Sequence, residues 1–183
     1  DVRILPESAR ISLDELYASL LGSDPERRGG ALVIYVGIVK GLVGGSRVSK
    51  LIYEVHADYT IESINRAINE VKAKLPGVID ARVYHWKGTR VPGEPAVVIA
   101  VLAVSREQAF EAARRILERV KFETGIWKLE VRDDGSYWVL GDGERVPAPG
   151  SHRQSGGYGL LSHRSEPKPQ RRSGSGPQPN AVL

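Results

Sequence analysis

The chain has 183 residues, 41% of them hydrophobic, a formal net charge of +4, and neither cysteine nor methionine. That length supports one ordinary domain with its own core, while the missing cysteines exclude disulfides, thiolate catalysis and cysteine-based zinc sites. The longest apolar runs, such as Ala96–Val104, are far too short to cross a bilayer and the chain has no leader-like start, so a cytoplasmic protein without membrane contact is expected.

Ser12-Leu13-Asp14-Glu15 has the spacing of a capping box and predicts a short helix to about Leu21. After a polar turn over Gly22–Gly30, Ala31–Val39 reads as a buried strand and Lys50–His56 as a second one, across a glycine-rich loop. Ile61, Ile64, Ile68, Val71 and Leu75 recur at helical spacing, with Thr60 or Asp58 as the expected cap and Pro76-Gly77 as the stop. Val78–Trp86 and Ala96–Val104 predict two strands around a turn containing Pro92-Gly93. A second long helix, Arg106–Glu123, is expected to bury Ala109, Phe110, Ala113, Ile116, Leu117 and Val120. Its exposed side should carry the pairs Glu111–Arg115 and Arg114–Glu118. Gly125 ends it, and Ile126–Val131 with Tyr137–Leu140 form a hairpin around Asp133-Asp134-Gly135. The sum is an α+β domain with a mostly antiparallel sheet and two main helices.

Over residues 151–183, Ser, Gly and Pro supply 15 of 33 positions and the apolar periodicity is lost. We therefore read 1–146 as the domain and 147–183 as a disordered basic tail. The tail holds the excess charge: five basic groups stand against Glu166 there, whereas residues 1–150 hold 21 basic and 21 acidic side chains. A folded part without basic bias argues against a nucleic-acid binder.

Three places can carry chemistry. Ser105 and Gln108 repeat the capping pattern and put Arg106 in a first helical turn, where free N–H groups and the positive end of the dipole gather. A cation opposes the dipole there; Arg106 is either a solvated surface group or half of an anion site. Lys121 and Lys128 flank the chain reversal at Gly125, and strand alternation puts Ile126, Lys128 and Glu130 on one face. If the ammonium groups converge, each lowers the other's pKa and makes a neutral amine available. In the alternative reading Lys121 complements a helix C-terminus and Lys128 pairs with Glu130. The loop Lys40–Arg47 suggests a phosphate cradle, yet lacks Gly-Lys-Ser/Thr and a following helix, and so reads better as a mobile hairpin loop. His56, His85, His152 and His163 lack metal-ligand spacing.

Five segments, in order, resemble the large (catalytic) subunit family of molybdopterin synthase. They are Gly30-Ala31 with Gly37-Ile38-Val39-Lys40, Tyr53-Glu54-Val55-His56, Gly88 with Gly93-Glu94, Ser105-Arg106 with Ala109-Phe110-Glu111-Ala112, and Lys121-x₅-Trp127-Lys128-x-Glu130. The resemblance implies an α/β hammerhead-type fold and a homodimer with a small ubiquitin-like subunit at each end. That subunit's C-terminal Gly-Gly, as a thiocarboxylate, would give sulfur to cyclic pyranopterin monophosphate, with no cofactor required, to build molybdopterin for the molybdenum cofactor. It also implies catalytic roles for Lys121 and Lys128, phosphate or pterin binding by Arg106, and a secondary anion contact at Lys40. Ser105 stands where the family has histidine and Lys40 where it has arginine; Arg145 is the candidate for an arginine that the family contributes across its dimer. The competing reading is a non-catalytic module of the same fold that docks a ubiquitin-like partner.

Overall fold

The run Pro95–Ala103 contains no polar side chain, so as a strand it must be covered on both faces. The computed structural model, which describes residues 1–141 and 143–150, covers it in that way. The elements are β1 (Val2–Leu5), α1 (Leu13–Gly22), β2 (Ala31–Ile38), β3 (Leu42–Val43), β4 (Ser46–Val55), α2 (Ala57–Lys74) and β5 (Val78–Trp86). They continue with β6 (Gly88–Arg90), β7 (Pro95–Ala103), α3 (Arg106–Glu123), β8 (Ile126–Arg132), β9 (Gly135–Val139) and β10 (Arg145–Pro147).

One sheet has the order β1-β5-β7-β2, antiparallel except for β1 against β5. The apolar faces of α2 and α3, with Ile64, Ile68, Val71, Ala109, Ala113 and Ile116, pack on one side against Val83, Ile99 and Val101. On the other side Leu16 and Leu20 of α1 close over Tyr84, Trp86, Val98 and Leu102. The second sheet has the order β10-β9-β8-β4-β3, with β6 also on β4. Its core is Val39, Val48, Leu51, Tyr53 and Ala96.

The mixed, mostly antiparallel architecture agrees with the expectation, and the differences have physical causes. Ser12 caps α1 as expected, its hydroxyl accepting from Glu15 N at 3.2 Å. Neither Thr60 nor Asp58 caps α2, which starts earlier, behind His56, without a side-chain cap. Thr60 is fully buried instead, its hydroxyl donating to Thr124 O at 2.7 Å. Phe110 is not on the core face of α3: it is 65% exposed, because the helix packs through its narrow alanine side. The surface pairs of Glu111 with Arg115 and Arg114 with Glu118 form at 2.7 and 2.8 Å.

The strand foreseen from Lys50 begins at Ser46, because Gly44 and Gly45 close a two-residue turn. Both have positive φ, +57° and +86°, as a tight hairpin of that hand requires. Pro147 pairs with Tyr137, so the ladder runs one residue past the expected domain edge. From residue 151 onward the expected tail lies outside the described residues.

Candidate active site

The lysines meet because helix and strand are pinned at the turn between them. Lys121 is in the last turn of α3 and Lys128 is the third residue of β8. Between them Gly125 takes φ +64°, a left-handed conformation that glycine adopts without penalty. Two hydroxyls of α2 fix the connection from behind. Thr60 donates to Thr124 O at 2.7 Å and Ser63 to Glu123 O at 2.9 Å.

Alternation along β8 then separates two functions. Lys128 and Glu130 face inward, while Trp127 points out, 56% exposed, and meets Trp138 edge to face at 6.5 Å. Lys128 lies opposite Tyr53 of β4 and Val139 of β9. Their side chains line a cleft of about 450 Å³ that also receives Lys40, Lys121 and Arg145. Four of the six residues singled out from the sequence therefore line this cleft, Lys121 and Lys128 among them.

Glu130 is buried and spends its carboxylate on arginines. Arg145 reaches it twice, Nε to Oε1 at 2.7 Å and Nη2 to Oε2 at 3.2 Å, and Arg132 Nε lies 3.1 Å from Oε1. The structural alternative of a Lys128–Glu130 pair is thus not realised, and Lys128 has no ion-pair partner among the described residues. Burial holds its pKa below the ordinary lysine value; Arg145, Lys121 and Lys40 push the same way, against the attraction of Glu130. A half-buried lysine beside three other cations, with no ion pair among the described residues, gives up its proton more readily than a free lysine and is a strong site for an anion.

Ser105 and Arg106 sit elsewhere. Ser105 caps α3, accepting from Gln108 N at 3.4 Å. The Arg106 side chain is 83% exposed, and among the described residues its ion pair is with the neighbouring Glu107, at 3.1 Å. Fifteen helical residues, about 22 Å of axis, separate Arg106 from Lys121, so one chain does not bring these groups together. The glycine loop is a hairpin turn rather than a phosphate cradle. Among the described residues no three His, Cys, Asp or Glu side chains gather as a metal site requires, and no helix is long and apolar enough to cross a membrane.

Sequence reasoning missed Tyr35, Tyr53, His85 and the anchoring role of Glu130. His85 is buried in β5, its ring edge-to-face with Tyr53 at 5.0 Å. Its Nδ1 lies 2.8 Å from Trp86 O, which only accepts, so Nδ1 carries the proton. Burial, with the Lys128 charge as a smaller contribution, pushes the imidazole pKa down to about 4 from 6.5. Above pH 6.5 the ring is neutral in both states; below it the unfolded chain takes up a proton that the native state refuses until about pH 4. Stability should therefore fall by about 3 kcal/mol as pH drops across that window. His85→Gln should remove that part of the slope. Equal acid sensitivity of the two proteins, from urea unfolding between pH 4 and 7, would contradict a buried neutral ring.

Comparison with known proteins identifies the family. Residues 7–123 match the MoaE protein family. The molybdopterin synthase catalytic subunit of Pyrococcus abyssi is 37% identical over 113 residues, covering 62% of this chain and 76% of that protein. Catalytic subunit 1 of Mycobacterium tuberculosis is 38% identical over 129 residues, or 70% of this chain and 84% of that one. The crystal structure of molybdopterin synthase from Staphylococcus aureus superposes with a TM-score of 0.63 at 28% identity, covering 75% of this chain and 93% of that chain. A protein–protein complex of subunits 1 and 2 of molybdopterin-converting factor from Helicobacter pylori shares the fold, with a TM-score of 0.56 at 19% identity over 85% of this chain and 95% of that chain. The paired lysines thus lie on the fold of molybdopterin synthase catalytic subunits, and this chain belongs to the MoaE family.

Proposed function

We propose that the cleft moves sulfur from the C-terminal thiocarboxylate of a small ubiquitin-like partner, in the cytoplasm, to cyclic pyranopterin monophosphate. The observation that carries this reading is the unpaired, half-buried Lys128 facing Lys121, Lys40 and Arg145. Both reactants are anionic, one through a thiocarboxylate and one through a phosphate, and the cleft offers Lys40, Lys121 and Lys128 to hold them, with Arg145 beside them already bound to Glu130. A Gly-Gly terminus has no side chains, so it suits entry into a narrow cleft as an extended strand. The complex of two subunits known for the related converting factor supports a separate small partner.

Arg106 completes the site from a second copy of the chain in this reading. It is exposed beside Val104 and Phe110, 48% and 65% exposed, an apolar patch suited to self-association. Arg106→Ala should then chiefly raise KM, because it removes a contact to a phosphate present in the ground state. At substrate well below the raised KM, mixing Arg106→Ala with Lys128→Ala should restore roughly a quarter of wild-type activity, since about half of the dimers are mixed and each of those holds one intact site of two. No recovery on mixing would reject the shared site. The overall function is tested by adding a thiocarboxylated small subunit and cyclic pyranopterin monophosphate and assaying for dithiolene product. Absence of product with both components present and folded would refute it.

A further inference from the structure

Cations account for only part of the cleft. The same cavity is lined by Tyr35 of β2, Tyr53 of β4 and His85 of β5, three neutral side chains that the charge argument leaves unused. Tyr53 and His85 are buried, whereas Lys40 and Lys121 are exposed, so these two neutral groups lie deeper than those two lysines. Neither phenol has a hydrogen-bond partner among the described residues, and His85 uses only Nδ1, toward Trp86 O. With Nδ1 protonated and the ring neutral, Nε2 is a bare lone pair. Burial also pushes the Tyr53 phenol well above its ordinary pKa, so it keeps its proton.

Lysine and arginine side chains only donate hydrogen bonds, whereas an imidazole lone pair accepts and a phenol does both. These polar atoms are open to the cleft rather than sealed in the core, so a ligand that enters can meet them. A neutral planar ring bearing N–H and C=O edges would do so. It would also stack against aromatic walls that are already in edge contact at 5.0 Å. The cavity of about 450 Å³ has room for a fused heterocycle in addition to a chain terminus.

We propose that Tyr35, Tyr53 and His85 form the subsite for the uncharged fused ring of the substrate, with His85 Nε2 accepting from a ring N–H. The cations are then left for the phosphate and the thiocarboxylate. This assignment rests on the function proposed above and divides its site in two: recognition of the ring by neutral groups, and of the charges by lysine and arginine.

The test uses the full-length chain with two separate probes, fluorescent 6-hydroxymethylpterin for the ring and inorganic pyrophosphate for the charges. Tyr53→Phe and Tyr35→Phe each remove a single oxygen atom. His85→Asn keeps an N–H to donate to Trp86 O and removes Nε2, leaving its only acceptor, Oδ1, short of the position that the ring nitrogen held. Each should weaken pterin binding about tenfold, with pyrophosphate affinity unchanged. Lys121→Ala should do the reverse. The two tyrosine variants decide the matter if His85→Asn does not fold. Unchanged pterin affinity in both, an equal loss for both probes, or no pterin binding by the wild type overturns the subsite. The sulfur-transfer assay separates this from the function itself. A wild type that makes product while the tyrosine variants bind pterin normally keeps the function and loses the subsite. Selective pterin loss in a protein that makes no product does the opposite.

Discussion

Lys128→Ala and Lys121→Ala should each lower the rate of sulfur transfer by about a hundredfold or more, the usual scale for losing a positioned acid–base or nucleophilic group. Both variants should fold normally. Lys121 is exposed and Lys128 lines an open cleft without an ion pair, so truncation leaves neither a cavity nor an orphaned charge. Burial and three neighbouring cations hold the Lys128 pKa down, and Lys121 is one of those cations. Removing it takes away a repulsion, so Lys121→Ala should raise the Lys128 pKa and carry the limb of the pH–rate profile that reports it to higher pH. Single-turnover assays across pH, with Tm and small-subunit binding as controls, check all of this together. Wild-type rates in both variants would leave the fold as a docking module only.

Glu130→Ala should cost about 3–5 kcal/mol of folding free energy, the range for removing one partner from a buried ion cluster. The carboxylate is 4% exposed and holds Arg145 at 2.7 Å and Arg132 at 3.1 Å. Arg132 is nearly as deep, 9% exposed, and stacks over Tyr137 at 4.1 Å, so it does not simply swing into water. Without Glu130, Arg145 still lies close to Lys128, while Arg132 keeps Asp134, 3.7 Å away, as its remaining counter-charge. The variant should therefore lose stability and also depress the Lys128 pKa further, because Glu130 is the one group that raises it. Urea unfolding measures the first effect. A loss under about 1 kcal/mol would mean that the arginines find water easily and that the cluster contributes little.

The parts of this molecule legible in its sequence are those fixed by local rules. Spacing and alternation placed Lys121 and Lys128 on either side of a reversal and on the inner face of a strand, and the structure joins them there. Tyr53 and His85 escaped because they reach the cleft through pairing registers, Tyr53 opposite Lys128 and His85 from the other sheet. No local pattern encodes which strand will lie beside which. Phe110 was misassigned for a related reason. Periodicity says which residues share a helix face, while the width of the buried stripe is set by the partner, here a strand close enough to admit alanines. Thr60 looked like a cap because its hydroxyl is suited to that role; the tertiary bond to Thr124 took precedence. The edge strand Val2–Leu5 gave no signal beyond four residues, and its stability comes from parallel pairing to β5 some eighty positions later.

The alternation that turns Lys128 inward turns Trp127 outward, and this constrains how the segment can evolve. Substitutions on the open face, at Trp127 or Leu129, change the surface presented to partners and leave the chemistry in place. Insertions and deletions are another matter. One residue gained or lost between Gly125 and Lys128 would exchange the two faces, setting an indole in the cleft and an ammonium in solvent. Relatives that keep the activity should therefore differ in this stretch by replacement alone, and length variation should be confined to the turn at Asp133-Asp134, beyond the last inward-facing charge of β8.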